Sequence, residues 1–254
     1  ILLTPHLGAS TFEAKEGVST SICNQLIDFL LDDKLSNAIN LPIADMELLK
    51  ALEPYLRLGD IMGSFLSQLV KSPITALEVE SFGIVEEVKP IMLSILKGML
   101  RDITDVRINY VNVLNIAEER GISLKFSYNT SSTPYSNLIK ARIKTENGEF
   151  SLEGCLFDEK VIKLTKIMDY QIDVSPIGTM LLIQNKDIPG VVGKVGTALG
   201  SYNINIGEFI LSRKDPQDLA YSIIKIDGQI SSEILNKIEE LDEIVEIKQI
   251  SIDG

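Results

Sequence analysis

Apolar and polar positions alternate with changing periods along the chain, and each period predicts an element type. Near the start, five apolar residues recur at spacings of three and four: Val18, Ile22, Leu26, Phe29 and Leu30. This spacing predicts one apolar face of a helix. Ser10 or Thr11 is suited to cap it, and Glu13 lies in its first turn. Because the preceding residues 1–3 are apolar and strand-like, residues 1–37 are predicted to form a strand, a loop and a long helix.

The middle of the chain mixes both periods. A helical pattern extends from Asp45 to about Val70, and Pro54 inside it predicts two helices rather than one, because proline removes a helical hydrogen bond. Further helices are predicted at 90–102 and 110–120, and Gly121 is expected to end the second of them. Strands are predicted at 77–87, 123–128, 138–144, 150–156 and 161–167. Asn147-Gly148 between two of these strands predicts a hairpin turn. Residues 38–176 are therefore predicted to be one α+β domain.

The last part of the chain begins a new pattern after Ser175-Pro176. Strands are predicted at 179–184, 204–212, 221–226 and 244–252, with helices at 189–201 and 231–241. The resulting order, βαββαβ, is that of a ferredoxin-like unit. We therefore expect residues 177–254 to form a separate small domain, and the whole chain to be of the α+β class.

The amino-acid composition argues against several functional classes. The 254 residues are 45% apolar and 24% charged, and 24 basic against 36 acidic residues give a net charge of −12. That balance argues against nucleic acid and anionic membranes as partners. Two cysteines and one histidine cannot form a disulfide framework or a multi-histidine or cysteine-ligated metal site, so no metal is expected. With no transmembrane-length apolar run or signal peptide, we expect a cytoplasmic protein.

Glycine spacing argues against nucleotide binding by this chain. No two of the 17 glycines are separated by a single residue, so the dinucleotide-binding GxGxxG pattern is absent. Gly190, Gly193, Gly196 and Gly200 lie instead on one face of a predicted helix. The favoured interpretation is close packing of this helix on its sheet. A compatible alternative is that Gly190, after Pro189, brings backbone amides to a ligand carboxylate at the helix N-terminus.

Two sets of residues are candidates for chemistry. His6 is the single side chain suited to acid–base catalysis near neutral pH, although a lone histidine is more often structural. Asn185 and Asp187 follow one predicted strand and Asn205 begins another. We expect these three to meet at one sheet end, where Asp187 would attract an ammonium group and the amides would donate or accept hydrogen bonds. Ordinary turn and cap residues are the alternative explanation.

Three motifs resemble the long-form D-3-phosphoglycerate dehydrogenase family of D-2-hydroxyacid dehydrogenases. Thr4-Pro5-His6-Leu7-Gly8-Ala9-Ser10-Thr11 is similar to its catalytic-histidine segment. Leu100 to Asn112, with Ala117 to Ile122, is similar to its intervening, allosteric-substrate-binding domain. Asn185-x-Asp187-x-Pro189-Gly190, followed by Asn203 to Ile206 and Ser212-Arg213, is similar to its ACT domain.

The resemblance implies a regulatory C-terminal half of an NAD-dependent enzyme that oxidises 3-phosphoglycerate, the first step of serine biosynthesis. Residues 1–37 would be a remnant of the Rossmann-type catalytic region, with His6 as general acid/base. The chain alone is expected to be inactive and not to bind NAD. L-Serine or a similar small amino acid would bind between paired ACT domains as feedback effector. The residues implied in that site are Asn185, Asp187, Ile188, Pro189, Gly190 and Asn205.

Two other functional classes are alternatives to a dehydrogenase regulatory half. A regulatory module of L-serine dehydratase also combines these two domain types, but that enzyme needs cysteine ligands for an iron–sulfur cluster and has no place for the segment around His6. A free-standing amino-acid-binding regulator would have a natural start near residue 38.

Overall fold

The computed structural model describes residues 8–32, 36–37, 46–101, 103–104, 106–158, 160–214 and 219–253. The chain divides into two compact units, Ile1–Glu53 and Pro54–Gly254. The helices are α1 Phe12–Asp32, α2 Met46–Leu69, α3 Val88–Leu100, α4 Val113–Glu119, α5 Val191–Ser201 and α6 Ser232–Glu239. The strands are β1 Ile74–Phe82, β2 Ser123–Asn129, β3 Ile139–Thr145, β4 Gly148–Phe157, β5 Val161–Ile167, β6 Tyr170–Val174, β7 Gly178–Lys186, β8 Ile206–Arg213, β9 Leu219–Ile226 and β10 Ile244–Ile252. The predicted α+β class is confirmed.

Helix α1 begins where the sequence predicts. The backbone N–H of Ala14 donates to Thr11 Oγ1 at 3.1 Å, which identifies Thr11 as the N-cap. Its apolar stripe is about half exposed, since Val18, Ile22 and Leu26 keep 55%, 50% and 54% of their surface accessible. The predicted strand at residues 1–3 and Asp45, the predicted start of the next helical pattern, lie outside the described residues.

Helix α2 corrects the prediction made from Pro54. The helix is continuous from Met46 to Leu69, with the proline inside it, so the expectation of two helices is wrong. Apolar residues on both sides of the proline, Leu52, Tyr55, Leu56 and Leu58, are buried. Their burial offsets the missing hydrogen-bond donor, because burying one such side chain is worth about 1.5–3 kcal/mol.

Helices α2 and α3 approach each other closely at glycines. A Cβ added to Gly63 would lie 1.9 Å from the carbonyl oxygen of Ile95, and one added to Gly98 would lie 2.1 Å from that of Asp60. Side chains at these positions would therefore force the two backbones apart. Beside the crossing, Lys97 and Arg101 both form ion pairs with Asp60.

The first sheet has six strands in the order β2-β1-β3-β4-β5-β6. Strands β1 and β2 are parallel, and all other neighbours are antiparallel. The predicted β3–β4 hairpin is confirmed, but Thr145 pairs with Gly148, so Glu146 and Asn147 form the turn and Gly148 opens the strand. Gly121, at φ +69°, ends α4 as predicted.

One strand prediction in this sheet differs from the structure, and one strand was missed. Strand β1 covers Ile74–Phe82 rather than 77–87, because Gly83 adopts φ +80° and turns the chain. Strand β6 was not predicted. It has five residues and pairs with β5 through Tyr170 and Gln171.

The second sheet confirms the ferredoxin-like βαββαβ order. Its four strands are arranged β10-β7-β9-β8, and every neighbouring pair is antiparallel. One face is covered by α5 and α6, and the buried residues between them include Leu181, Ile183, Val195 and Ile238. Ser231 caps α6, since its hydroxyl accepts the backbone N–H of Ile234.

The opposite face of the second sheet contacts the first part of the same compact unit. The rings of Tyr170 and Tyr221 stack with centroids 5.2 Å apart, and burial raises the pKa of Tyr221. Gln68 both donates to and accepts from the backbone of Ser251. The domain boundaries 37/38 and 176/177 remain predictions. In the described part of the chain, no helix is both long and apolar enough to cross a membrane.

Candidate functional site

A cleft lies where strand β7 passes into helix α5. Its volume is about 450 Å³. The residues that line it are Asp187, Ile188, Pro189, Gly190, Val191, Val192, Leu211 and Arg213. Four of these, Asp187, Ile188, Pro189 and Gly190, belong to the predicted site. The cleft is thus built from the predicted loop together with the end of strand β8.

The N-terminus of α5 faces this cleft. Gly190 adopts φ +96° as the residue before the helix, a left-handed conformation that favours glycine. No side chain caps the helix there. The N–H groups of its first turn have no partner within the helix, so Val191 and Val192 present backbone donors and the positive end of the helix dipole. This end of the cleft is suited to an anionic group.

Asp187 is held at the cleft by an arginine outside the predicted site. Its Oδ2 lies 3.3 Å from Nη1 of Arg213, the last residue of β8. The Asp187 side chain is 13% exposed, whereas that of Arg213 is 57% exposed. Arg213 belongs to the motif Ser212-Arg213 that carries the family resemblance, but a basic residue at a strand end gave no sign of its acidic partner. Asp187 makes at least one further polar or electrostatic interaction.

Asn185 lies behind the loop rather than in the cleft. It is 3% exposed, its Nδ2 donates to the carbonyl of Lys186 at 2.9 Å, and its Oδ1 accepts the Ser222 hydroxyl at 3.0 Å. These bonds hold the end of β7 against β9. Within one chain, Asn185 therefore supports the loop that carries Asp187 and does not line the cleft.

Asn205 lies at the opposite end of the sheet. It precedes Ile206, which pairs with Ile226, and Ile226 in turn pairs with Thr179 at the start of β7. Its Nδ2 donates to Asp227 at 3.1 Å. The expectation that Asn205 meets Asn185 and Asp187 at one sheet end is wrong within a single chain. Strands β7 and β8 run parallel with α5 between them, so the end of one lies far from the start of the other.

The glycines of α5 do not pack against the sheet. A Cβ added to Gly193, Gly196 or Gly200 would meet nothing within 4 Å. The packing interpretation of these glycines is therefore wrong, and this face of α5 is open. Val191, Val195 and Leu199 bury the other face.

A salt bridge and a hydrogen bond fix the corner that carries the cleft. Lys194 of α5 pairs with Glu243, and its hydrogen bond holds the pKa of that carboxyl below the ordinary value. The ammonium of Lys186 donates to the carbonyl of Asp242 at 2.8 Å. Both contacts tie the β7–α5 corner to the residues before β10.

The lining of the cleft contains one carboxylate and one guanidinium, and no histidine or cysteine. His6 lies outside the described residues. Among the residues that the structure describes, no group of three or more His, Cys, Asp or Glu side chains is placed to hold a metal ion. The sequence has no GxGxxG loop. The cleft is suited to binding a small charged molecule.

Comparisons with known proteins match two regions of the chain to protein families. The profile of the D-3-phosphoglycerate dehydrogenase intervening domain matches residues 51–168, and that of the ACT domain matches residues 179–243. A D-3-phosphoglycerate dehydrogenase from Synechocystis sp. is 32% identical over 244 residues, which are 95% of this chain and 44% of the relative. That of Bacillus subtilis is 28% identical over 254 residues, 99% of this chain and 48% of the relative.

The chain thus spans about half the length of these relatives. Among solved structures, the ACT domain of a GTP pyrophosphokinase from Chlorobium tepidum aligns with 29% of this chain and 96% of its own, at 13% identity and a TM-score of 0.25.

Proposed function

We propose that this chain, which carries the intervening domain of the D-3-phosphoglycerate dehydrogenase family followed by an ACT domain, is the regulatory half of such an enzyme. Its role is to bind L-serine in the cleft beside α5 as a feedback effector. The observation that carries this proposal is the cleft itself, whose lining contains both the Asp187 carboxylate and the N-terminus of α5. The carboxylate attracts a cation and the helix N-terminus attracts an anion, as a zwitterionic amino acid requires.

The activity proposed for the complete enzyme is NAD-dependent oxidation of 3-phosphoglycerate, the first step of serine biosynthesis. His6 would be the general acid/base of that reaction. Since the chain contains no dinucleotide loop, we expect it neither to bind NAD nor to turn over substrate by itself. An end product that binds far from the catalytic site can regulate the enzyme only if it binds one conformation of the protein more tightly than another.

Charge and backbone geometry set the proposed orientation of the ligand. The ammonium group pairs with Asp187, which is mostly buried and therefore well placed for a charge-assisted hydrogen bond. The carboxylate lies at the first-turn amides of α5. Asn185 contributes indirectly by fixing the end of β7 through Ser222.

Pairing of two copies would complete the site. Strand β8 is at the edge of its sheet, and within the described residues no strand pairs with its outer side. In an antiparallel pair of β8 strands, the start of one strand lies beside the end of the other. Asn205 of a second copy would then reach the end marked by Arg213, where Asp187 lies. Within one chain, Asn205 and Asp187 lie at opposite ends of the sheet. The paired arrangement accounts for this separation and also for the predicted role of Asn205 in the site.

Calorimetric titration with L-serine tests the proposal. Asp187→Ala should weaken binding at least tenfold, about 1.4 kcal/mol, because the ammonium loses its charged partner. Asn205→Ala should cost less, since it removes one neutral hydrogen bond.

Asp169→Ala is the matched control. Asp169 pairs with Lys214 at 3.0 Å outside the cleft, so serine affinity should not change. If the unmodified chain binds serine and Asp187→Ala binds it equally well, the effector site is not in this cleft.

A further inference from the structure

We propose that Arg213 is the specificity-determining residue of the cleft and receives the ligand's carboxylate when the ligand enters between Arg213 and Asp187. The inference rests on the proposed function of the cleft as an amino-acid site. It adds a residue that sequence reasoning did not place there and gives the site a rule for selecting ligands.

The ion pair across the cleft has the charges that an α-amino acid needs. Asp187 and Arg213 face each other with 3.3 Å between Oδ2 and Nη1. An α-amino acid carries an ammonium and a carboxylate on the same carbon. If it inserts between the two side chains, its ammonium replaces the guanidinium beside Asp187 and its carboxylate replaces Asp187 beside Arg213. One ion pair becomes two, and no charge is left unpaired.

The exposed fractions of the Arg213 and Asp187 side chains indicate which of the two moves when a ligand enters. The Arg213 side chain is 57% exposed and that of Asp187 is 13% exposed. A pair exposed on its arginine side holds that arginine weakly, and the long side chain can turn outward while the loop keeps Asp187 in place. The guanidinium offers several N–H donors in a planar fork that fits two carboxylate oxygens. It would therefore share the carboxylate with the amides of Val191 and Val192.

The same geometry favours ligands that carry both charges over ligands that carry one. An amine without a carboxylate would displace Arg213 from Asp187 and leave the guanidinium unpaired. An acid without an amine would compete with Asp187 for Arg213 and would place no ammonium beside Asp187. The apolar side chains of Ile188, Val192 and Leu211 complete the lining and limit further polar contacts. The ligand class is thus the small zwitterionic α-amino acids.

A rival explanation treats the Asp187–Arg213 pair as a structural tie between β8 and the loop. In that case Arg213 competes with the ligand for Asp187, and its removal would strengthen serine binding. The two explanations therefore predict opposite changes for the same variant.

The experiment compares L-serine with L-serinamide, which keeps the ammonium and hydroxyl but lacks the carboxylate. Titrations use the full chain, Arg213→Met, Arg213→Lys and the control Lys214→Met. Lys214 is the next residue and pairs with Asp169, so the control removes the same charge outside the cleft. Circular dichroism and melting temperature confirm that each variant is folded.

We expect the unmodified chain and Lys214→Met to bind serine at least tenfold more tightly than serinamide. In Arg213→Met this preference should fall at least tenfold, while Arg213→Lys should retain part of it. An unchanged preference in Arg213→Met, or tighter serine binding by it, would overturn the role of Arg213 and leave the proposed function intact. Failure of the unmodified chain to bind serine would overturn the proposed function, and this inference with it.

Discussion

Single glycines have opposite roles in two helices of this chain. Gly63 lies where α2 crosses α3, and a Cβ there would meet backbone atoms of Ile95 and Met99. Gly196 of α5 has open space around it. The same substitution should therefore change the free energy of unfolding in opposite directions at the two positions.

Gly63→Ala should destabilise the chain by about 3 kcal/mol, the upper part of the range for overpacking, because backbone rather than a flexible side chain must move. Gly196→Ala, its matched control, should stabilise by up to about 1 kcal/mol through helix propensity. Denaturant unfolding followed by circular dichroism at low protein concentration measures both. A stable Gly63→Ala variant would show that α2 and α3 are not in the close contact described.

Some site residues could be predicted from the sequence and others could not. The loop Asp187 to Gly190 was found because its residue types and order are informative. Arg213 is about 26 positions away in sequence, and its contact with Asp187 depends on how far β8 extends. Asn205 was misplaced although the predicted βαββαβ order already implied that β7 and β8 run parallel. Parallel strands put the start of β8, where Asn205 lies, at the opposite end of the sheet from Asp187 at the end of β7.

Among the elements, Pro54 is the clearest conflict between local preference and the final fold. Proline in a helix interior is about 3 kcal/mol less favourable than alanine, although it also restricts the unfolded chain. Pro54→Ala should therefore stabilise the protein by about 2 kcal/mol. Glu53→Ala, at the exposed neighbouring position, should change stability little. Thermal or denaturant unfolding provides the comparison, and a less stable Pro54→Ala would show that the pyrrolidine ring contributes contacts beyond backbone geometry.

Most elements could be predicted because their patterns are local. Strand β10 agrees with its predicted range, and the helix stop at Gly121 follows from one residue type. The continuity of α2 could not be predicted, since it depends on the burial of Tyr55, Leu56 and Leu58 in the folded chain. Strand β6 was missed although Tyr170, Ile172 and Val174 alternate, because five residues are a weak signal without the neighbouring strand β5.

At the scale of the whole molecule, ligand binding and association should be coupled. If serine contacts Asp187 of one copy and Asn205 of another, it binds the pair better than the single chain and must stabilise the pair. Sedimentation equilibrium at micromolar concentration should give at least twice the chain mass of 28.1 kDa. Saturating serine should lower the dissociation constant of the pair at least tenfold.

Asn205→Ala should remove most of this serine dependence without abolishing pairing, because Asn205 precedes β8 and is not part of the strand. Asp227→Ala is a suitable control, since it deletes the intrachain partner of Asn205 and keeps the amide itself. A monomer of 28.1 kDa in the presence of saturating serine would contradict the paired arrangement.

The placement of Asn205 and Asp187 at opposite ends of one sheet has a genetic consequence. A pair of copies would contain two pockets, each assembled from half-sites on different chains. Asp187→Ala chains and Asn205→Ala chains would each form only defective pockets with themselves. In a mixed pair, the intact Asp187 of one chain meets the intact Asn205 of the other, so one pocket is restored while the second carries both defects. Two alleles that each weaken serine binding would thus complement each other, and each mixed pair would bind serine at one of its two pockets.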